Sequence, residues 1–194
     1  MASYQNLKSL PQRFARCLRS ALLVLACVLV PPSLAFADSA RAIRNDSANA
    51  LQHLYAVEPS TKELGDKAVA VLVFPKIYKA GFVLGGEHGQ GALFKGKEAV
   101  GYYDISAVSL GLQAGAQTFG YALFFMNQKS LNYLETSNGW ALGSGPSVVA
   151  WDKSIASTLS TTTLSQEVFA VPFGAQGLMA GMGLEGSKIT SITP

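Results

Sequence analysis

The spacing of apolar residues changes character near residue 68. Before it, Ala40, Ile43, Ala50, Leu51 and Leu54 return on one face of a 3.6-residue repeat while Arg41, Arg44, Asn45, Asp46 and Asn49 fall elsewhere. This predicts a helix from Asp38 that Pro59 ends. Ser60 and Glu63 have the spacing of a capping box, which predicts a short second helix to about Lys67. After it, Val69 to Phe74 is an unbroken apolar, β-branched run closed by Pro75, the pattern of a strand buried on both faces. Further strands are predicted near 80–85, 91–95, 99–104, 106–115 and 118–126, with Lys95-Gly96-Lys97 as a hairpin turn. Asn127 can cap one more short helix, and strands follow near 140–142, 147–151, 168–172, 177–183 and 186–190. The Ser/Thr-rich stretch 154–165 reads as a surface loop. Together these elements predict an α+β domain. Its body is a strongly curved, mainly antiparallel sheet or near-barrel, with N-terminal helices and one short internal helix.

Three segments share a spacing of glycines four apart: Gly81 and Gly85, Gly111 and Gly115, Gly177 and Gly181. Within a strand such residues fall on one face, because side chains alternate. Two readings follow. The bare positions let a closed sheet curve, or they line a surface where an acyl chain or a helix lies against the backbone.

The first 37 residues carry Lys8, Arg13, Arg16 and Arg19 without an acid, then an apolar run to Val30 and a small-x-small site at Ala35-Phe36-Ala37. That anatomy predicts a signal peptide over 1–37, a single domain over 38–194, and a periplasmic or secreted protein cleaved near Ala37. The alternative is a lipid anchor at Cys27, since Val24-Leu25-Ala26-Cys27 loosely resembles a lipobox. Removing the leader takes four of 15 basic residues and none of 12 acids, leaving 11 against 12 and a formal charge of −1. A nucleic-acid partner is then excluded as a whole-molecule electrostatic match, and any basic surface is a local patch. Both cysteines, Cys17 and Cys27, go with the leader, so no thiol chemistry is expected.

Lys76, Lys79, Lys95 and Lys97 lie beside Phe74, Ile77, Tyr78 and Phe82, a mixture of cations and amphipathic aromatics that suits a lipid headgroup interface. Lysines also blunt turns and sheet edges, the plainer role for Lys95 and Lys97. Arg41 and Arg44 sit one turn apart on a helix that can lie on a membrane or pack on the sheet. The run Gly85-Gly86-Glu87-His88-Gly89-Gln90-Gly91 resembles a phosphate cradle only superficially, because a β segment and not a helix follows it; it reads as a tight β connection. No catalytic residues, metal ligands or cofactor are expected: with the leader removed the chain offers His53 and His88, no paired-carboxylate spacing and no G-x-S-x-G elbow.

Val71-Leu72-Val73-Phe74-Pro75-Lys76, then Lys79 to Glu87, Ser109 to Gln117, and Gly177 to Gly181 with Leu184-Glu185-Gly186 closely resemble the SYLF domain. The resemblance implies phospholipid binding, phosphoinositide binding with an N-terminal amphipathic helix in eukaryotic members, and actin binding in some fungal ones. An exported protein does not meet cytosolic actin, so an envelope phospholipid or membrane surface is the expected partner. The sites expected for it are Lys76, Lys79, Tyr78 and Phe82, then Arg41 and Arg44. The alternative is a structural or protein-interaction module with an envelope protein partner; a hydrolase is a third reading.

Overall fold

The computed structural model describes residues 32–81, 84–110, 115–151, 166–176 and 186–194. Among the described residues three helices are seen: α1 (Pro32–Val57), α2 (Pro59–Lys67) and α3 (Gln128–Thr136). The strands are β1 (Ala70–Gly81), β2 (Leu84–Lys95), β3 (Glu98–Leu110), β4 (Gly115–Phe125), β5 (Trp140–Ala141), β6 (Val148–Ala150), β7 (Val168–Gln176) and β8 (Lys188–Ile192). All eight join one sheet in the order β5-β8-β3-β2-β1-β4-β7-β6, antiparallel throughout except for β6 on β7. The α+β class and the curled, mainly antiparallel body are as the sequence predicts.

Curling follows from one contact. Phe125 on β4 and Trp140 on β5 stand five places apart in the sheet order, which in a flat sheet is about 24 Å at the usual strand spacing. Their ring centroids are 6.0 Å apart. The sheet therefore wraps into a half-barrel whose concave side holds Leu72, Phe74, Ile77, Ile105, Leu123, Phe125, Trp140 and Ile189. Helix α3 closes this side with Leu131 and Leu134. Its position is fixed by the expected cap, Asn127, whose side chain accepts from the Ser130 N–H at 2.9 Å, and by the Ser130 hydroxyl donating to the Glu167 carbonyl at 3.1 Å.

The convex side is covered by α1 and α2 over one half only. There Ile43, Leu54 and Leu64 meet Val71, Val73, Phe94, Ala122, Phe124 and Phe169. Helix α1 starts at Pro32, earlier than the expected Asp38. Pro59 does more than end it: it occupies the first turn of α2, where its missing N–H costs nothing. The cap is Glu58 in place of the expected Ser60, and its carbonyl accepts from the Thr61 hydroxyl at 2.6 Å.

Pro75 does not stop β1. The strand runs on to Gly81, and its register slips against β2 between Val73 and Lys76 and against β4 between Phe74 and Ile77. A bulge is where a central strand tolerates a residue with no N–H to give its ladder. The neighbouring strand is tailored to it: a Cβ on Gly89 would come within 2.8 Å of the Lys76 carbonyl oxygen, and one on Gly91 would run into that of Val73. The 85–91 run expected to be a tight connection is thus strand interior, glycine-rich because a bulge presses on it. Ser47 of α1 is bound into the same break. Its hydroxyl donates to the Val73 carbonyl at 3.1 Å and accepts from the Ala92 N–H at 3.2 Å, satisfying backbone groups beside the bulge.

The first glycine pair is also placed differently from expectation. Gly81 ends β1 and pairs with Gly85 of β2 on one side and Gly115 of β4 on the other. The first pair therefore lies across two strands, at the end of β1 and near the start of β2, instead of marking one face of a single strand. Gly111 lies outside the described residues, between Leu110 at the end of β3 and Gly115 at the start of β4. The third pair, Gly177 and Gly181, the strand expected at 177–183, the loop expected at 154–165 and Phe82 also lie outside the described residues. The Gly96-Lys97 turn is as expected, with Gly96 at φ +62°.

Candidate functional site

Because side chains alternate along a strand, the same strands that fill the concave core must present their other residues to the convex face. Beyond the bulge the helices no longer cover those residues. Tyr78, Ala80, Gly86, His88, Ser106, Val108 and Ala116 are all exposed there. Cross-strand pairing sets them in two rows, one running Tyr78–His88–Ser106 and the next Ala116–Ala80–Gly86–Val108. Most are small, so Tyr78 at 58% exposure and Val108 at 77% stand out from a low surface.

Lys76 belongs to the same face, opposite Gln90. It lines an open cleft of about 570 Å³ between α1 and the sheet, together with Asp46, Asn49, Tyr78, His88 and Gln90. Next to the cleft, His88 Nδ1 lies 3.1 Å from Asp104 Oδ1. Burial pushes the Asp104 carboxyl above its ordinary range, and the neighbouring His88 partly opposes that rise.

Of the described residues expected to meet lipid, only Lys76 and Tyr78 come together. Lys79 points to the concave side, where it pairs with the buried Glu87, so its charge is already engaged. Burial together with the Glu87 charge pushes the Tyr121 phenol up to about 12 on that side. Arg41 and Arg44 are exposed on α1 but are not among the residues that line the cleft. Lys95 pairs with Glu135 at 2.9 Å near the far end of β2, about 26 Å along the strand from Glu87. Sequence reasoning missed Val108, Asp46 and His88. An apolar residue in a half-buried strand does not announce its face until register is known, and Asp46 acquires its role only from how α1 docks.

Among the described residues no three His, Asp or Glu side chains gather as metal ligands would, and no helix is long and apolar enough to cross a membrane. No curated protein matches the chain. A protein-family model does: Ysc84, described as Las17-binding protein actin regulator, matches residues 106–193. The matched segment runs from the middle of β3 through β8 and takes in the second and third glycine pairs. That model is the SYLF domain, a family of lipid-binding and actin-regulator domains, so the match over residues 106–193 falls on the same family that the chain's motifs resemble.

Proposed function

We propose that this protein is a non-catalytic, peripheral phospholipid-binding protein of the periplasm or cell envelope, and that it meets the bilayer with the uncovered part of its convex face. The observation that carries this reading is the coincidence, on one sheet end, of two protruding apolar side chains, Tyr78 and Val108, with Lys76, a cation that has no ion-pair partner among the described residues. Tyrosine suits the headgroup level, having an apolar ring and a polar tip. A lysine near an anionic surface contributes about 1 kcal/mol. The small residues between them allow lipid to lie close to the backbone, and the match to a family with lipid-binding domains points the same way. Export, from the leader anatomy of residues 1–37, separates the protein from cytosolic actin, so lipid and not actin is the partner.

Co-sedimentation of the purified protein with anionic and neutral vesicles at low and high salt tests the reading. Binding confined to anionic vesicles and weakened by salt is the expected result, with roughly a fivefold loss in Lys76→Gln. Absence of binding to any vesicle would overturn it and leave a protein-interaction module.

A further inference from the structure

The cleft beside this face carries one fixed charge of each sign. Asp46 projects from α1 and Lys76 from β1, and both line the same open space. They do not pair with each other, and among the described residues neither has an ion-pair or hydrogen-bond partner. Other charged pairs on the molecule do close: Lys62 reaches Asp66 at 2.7 Å, and Lys95 reaches Glu135 at 2.9 Å. Tyr78, more than half exposed, borders the cleft and offers an aromatic face. Asn49 and Gln90 add uncharged donors and acceptors along the wall. Its volume, about 570 Å³, is within the range of roughly 300–1,000 Å³ usual for small-ligand clefts.

We infer that the cleft between α1 and the β1–β2 hairpin binds a zwitterionic phosphoethanolamine group, with Lys76 on the phosphate and Asp46 on the ammonium. A ligand of one sign would leave one of the two charges unanswered, whereas a zwitterion answers both. Phosphate suits Lys76, a point-charge donor with three N–H groups. A primary ammonium suits Asp46, because it can donate hydrogen bonds to the carboxylate while resting beside the Tyr78 ring. A trimethylammonium has no N–H to donate, so phosphocholine binds less well. The inference rests on the lipid-binding reading for its membrane source, since the group is the headgroup of a phospholipid, but the same chemistry is available in a soluble glycerophosphodiester.

Two arms separate these sources. Calorimetric titration with soluble glycerophosphoethanolamine and with glycerophosphocholine asks about the cleft alone. Co-sedimentation with vesicles of fixed anionic content, whose neutral lipid is either phosphatidylethanolamine or phosphatidylcholine, asks about the membrane. The expected results are binding of the ethanolamine compound at least fivefold tighter than the choline one, and a matching preference among vesicles. Asp46→Asn should abolish both preferences while keeping salt-sensitive binding to anionic vesicles, and Lys76→Gln should weaken both ligands; both residues are exposed, so the fold survives either change. Vesicle binding with no ethanolamine preference in either arm overturns this inference and leaves the lipid reading standing. Binding of the soluble compound without any vesicle binding overturns the lipid reading and keeps the cleft. Asp46→Asn with an unchanged preference overturns the assignment of the ammonium.

Discussion

The two faces of the sheet use the same strands to opposite ends. On the concave face β1 presents Leu72, Phe74 and Ile77, all fully buried, against aromatics from β4 and β5 and leucines from α3. On the convex face, past the bulge, it presents Lys76, Tyr78 and Ala80, all exposed. What divides them is cover and not strand composition: α1 and α2 reach only the half of the convex face that carries Val71 and Val73. An apolar side chain left outside that cover costs stability to expose and contributes nothing to the core, so its value lies in what it meets.

If stability comes from the concave side, breaking that side should cost the most. Phe74→Ala removes a fully buried ring and should destabilise by about 3–5 kcal/mol, read as a large fall in the denaturation midpoint. Next is Gly91→Ala, whose added Cβ collides with the Val73 carbonyl across the bulge; a loss of about 1–3 kcal/mol is expected, and an unchanged midpoint would show that the bulge can relax. Ser47→Ala leaves a buried N–H and carbonyl without their hydroxyl partner and should cost about 1–3 kcal/mol by chemical denaturation.

Alkaline pH sharpens the comparison in another way. Tyr121 on the concave side is raised to about 12 by burial and the Glu87 charge, and Tyr55 under the helices to about 12 by burial and Asp66. A folded-state pKa raised above the ordinary 10 means the stability contributed is intact below pH 10 and is lost as pH climbs through about 12. Phenolate absorbance should therefore rise late and together with unfolding, and Tyr121→Phe should reduce that alkaline loss. The smallest stability effect should come from the convex side: Tyr78→Ser with Val108→Ser should move the midpoint by no more than about 0.5 kcal/mol, yet lower vesicle binding severalfold. A large loss of stability there would mean that these residues belong to the core after all.

Much of this arrangement is legible in the sequence. The burial of β1 on both faces, the Gly96-Lys97 turn and the Asn127 cap all depend on local pattern and short-range hydrogen bonds, and each is found where the chain predicts it. Pro75 and the 85–91 run mislead for one shared reason. A proline and a cluster of glycines are breakers when taken alone, but laid side by side in adjacent strands they make a bulge and the space that accommodates it. The candidate site suffers from the same blindness to pairing. Lys76 and Lys79 look equivalent in the sequence, yet the bulge and alternation send one to solvent and the other to Glu87 across the barrel wall.

The Ser47 hydroxyl, set between the Val73 carbonyl and the Ala92 N–H, also determines what kind of part α1 is. A helix held only by greasy contacts can lift off and re-dock at little cost, but one that completes a backbone ladder leaves open hydrogen-bonding groups behind when it departs. Native-state deuterium exchange at the Ala92 amide then becomes a direct clock for that departure: slow exchange identifies α1 as a fixed buttress that holds Asp46 over the cleft, and fast exchange identifies a helix that leaves the sheet.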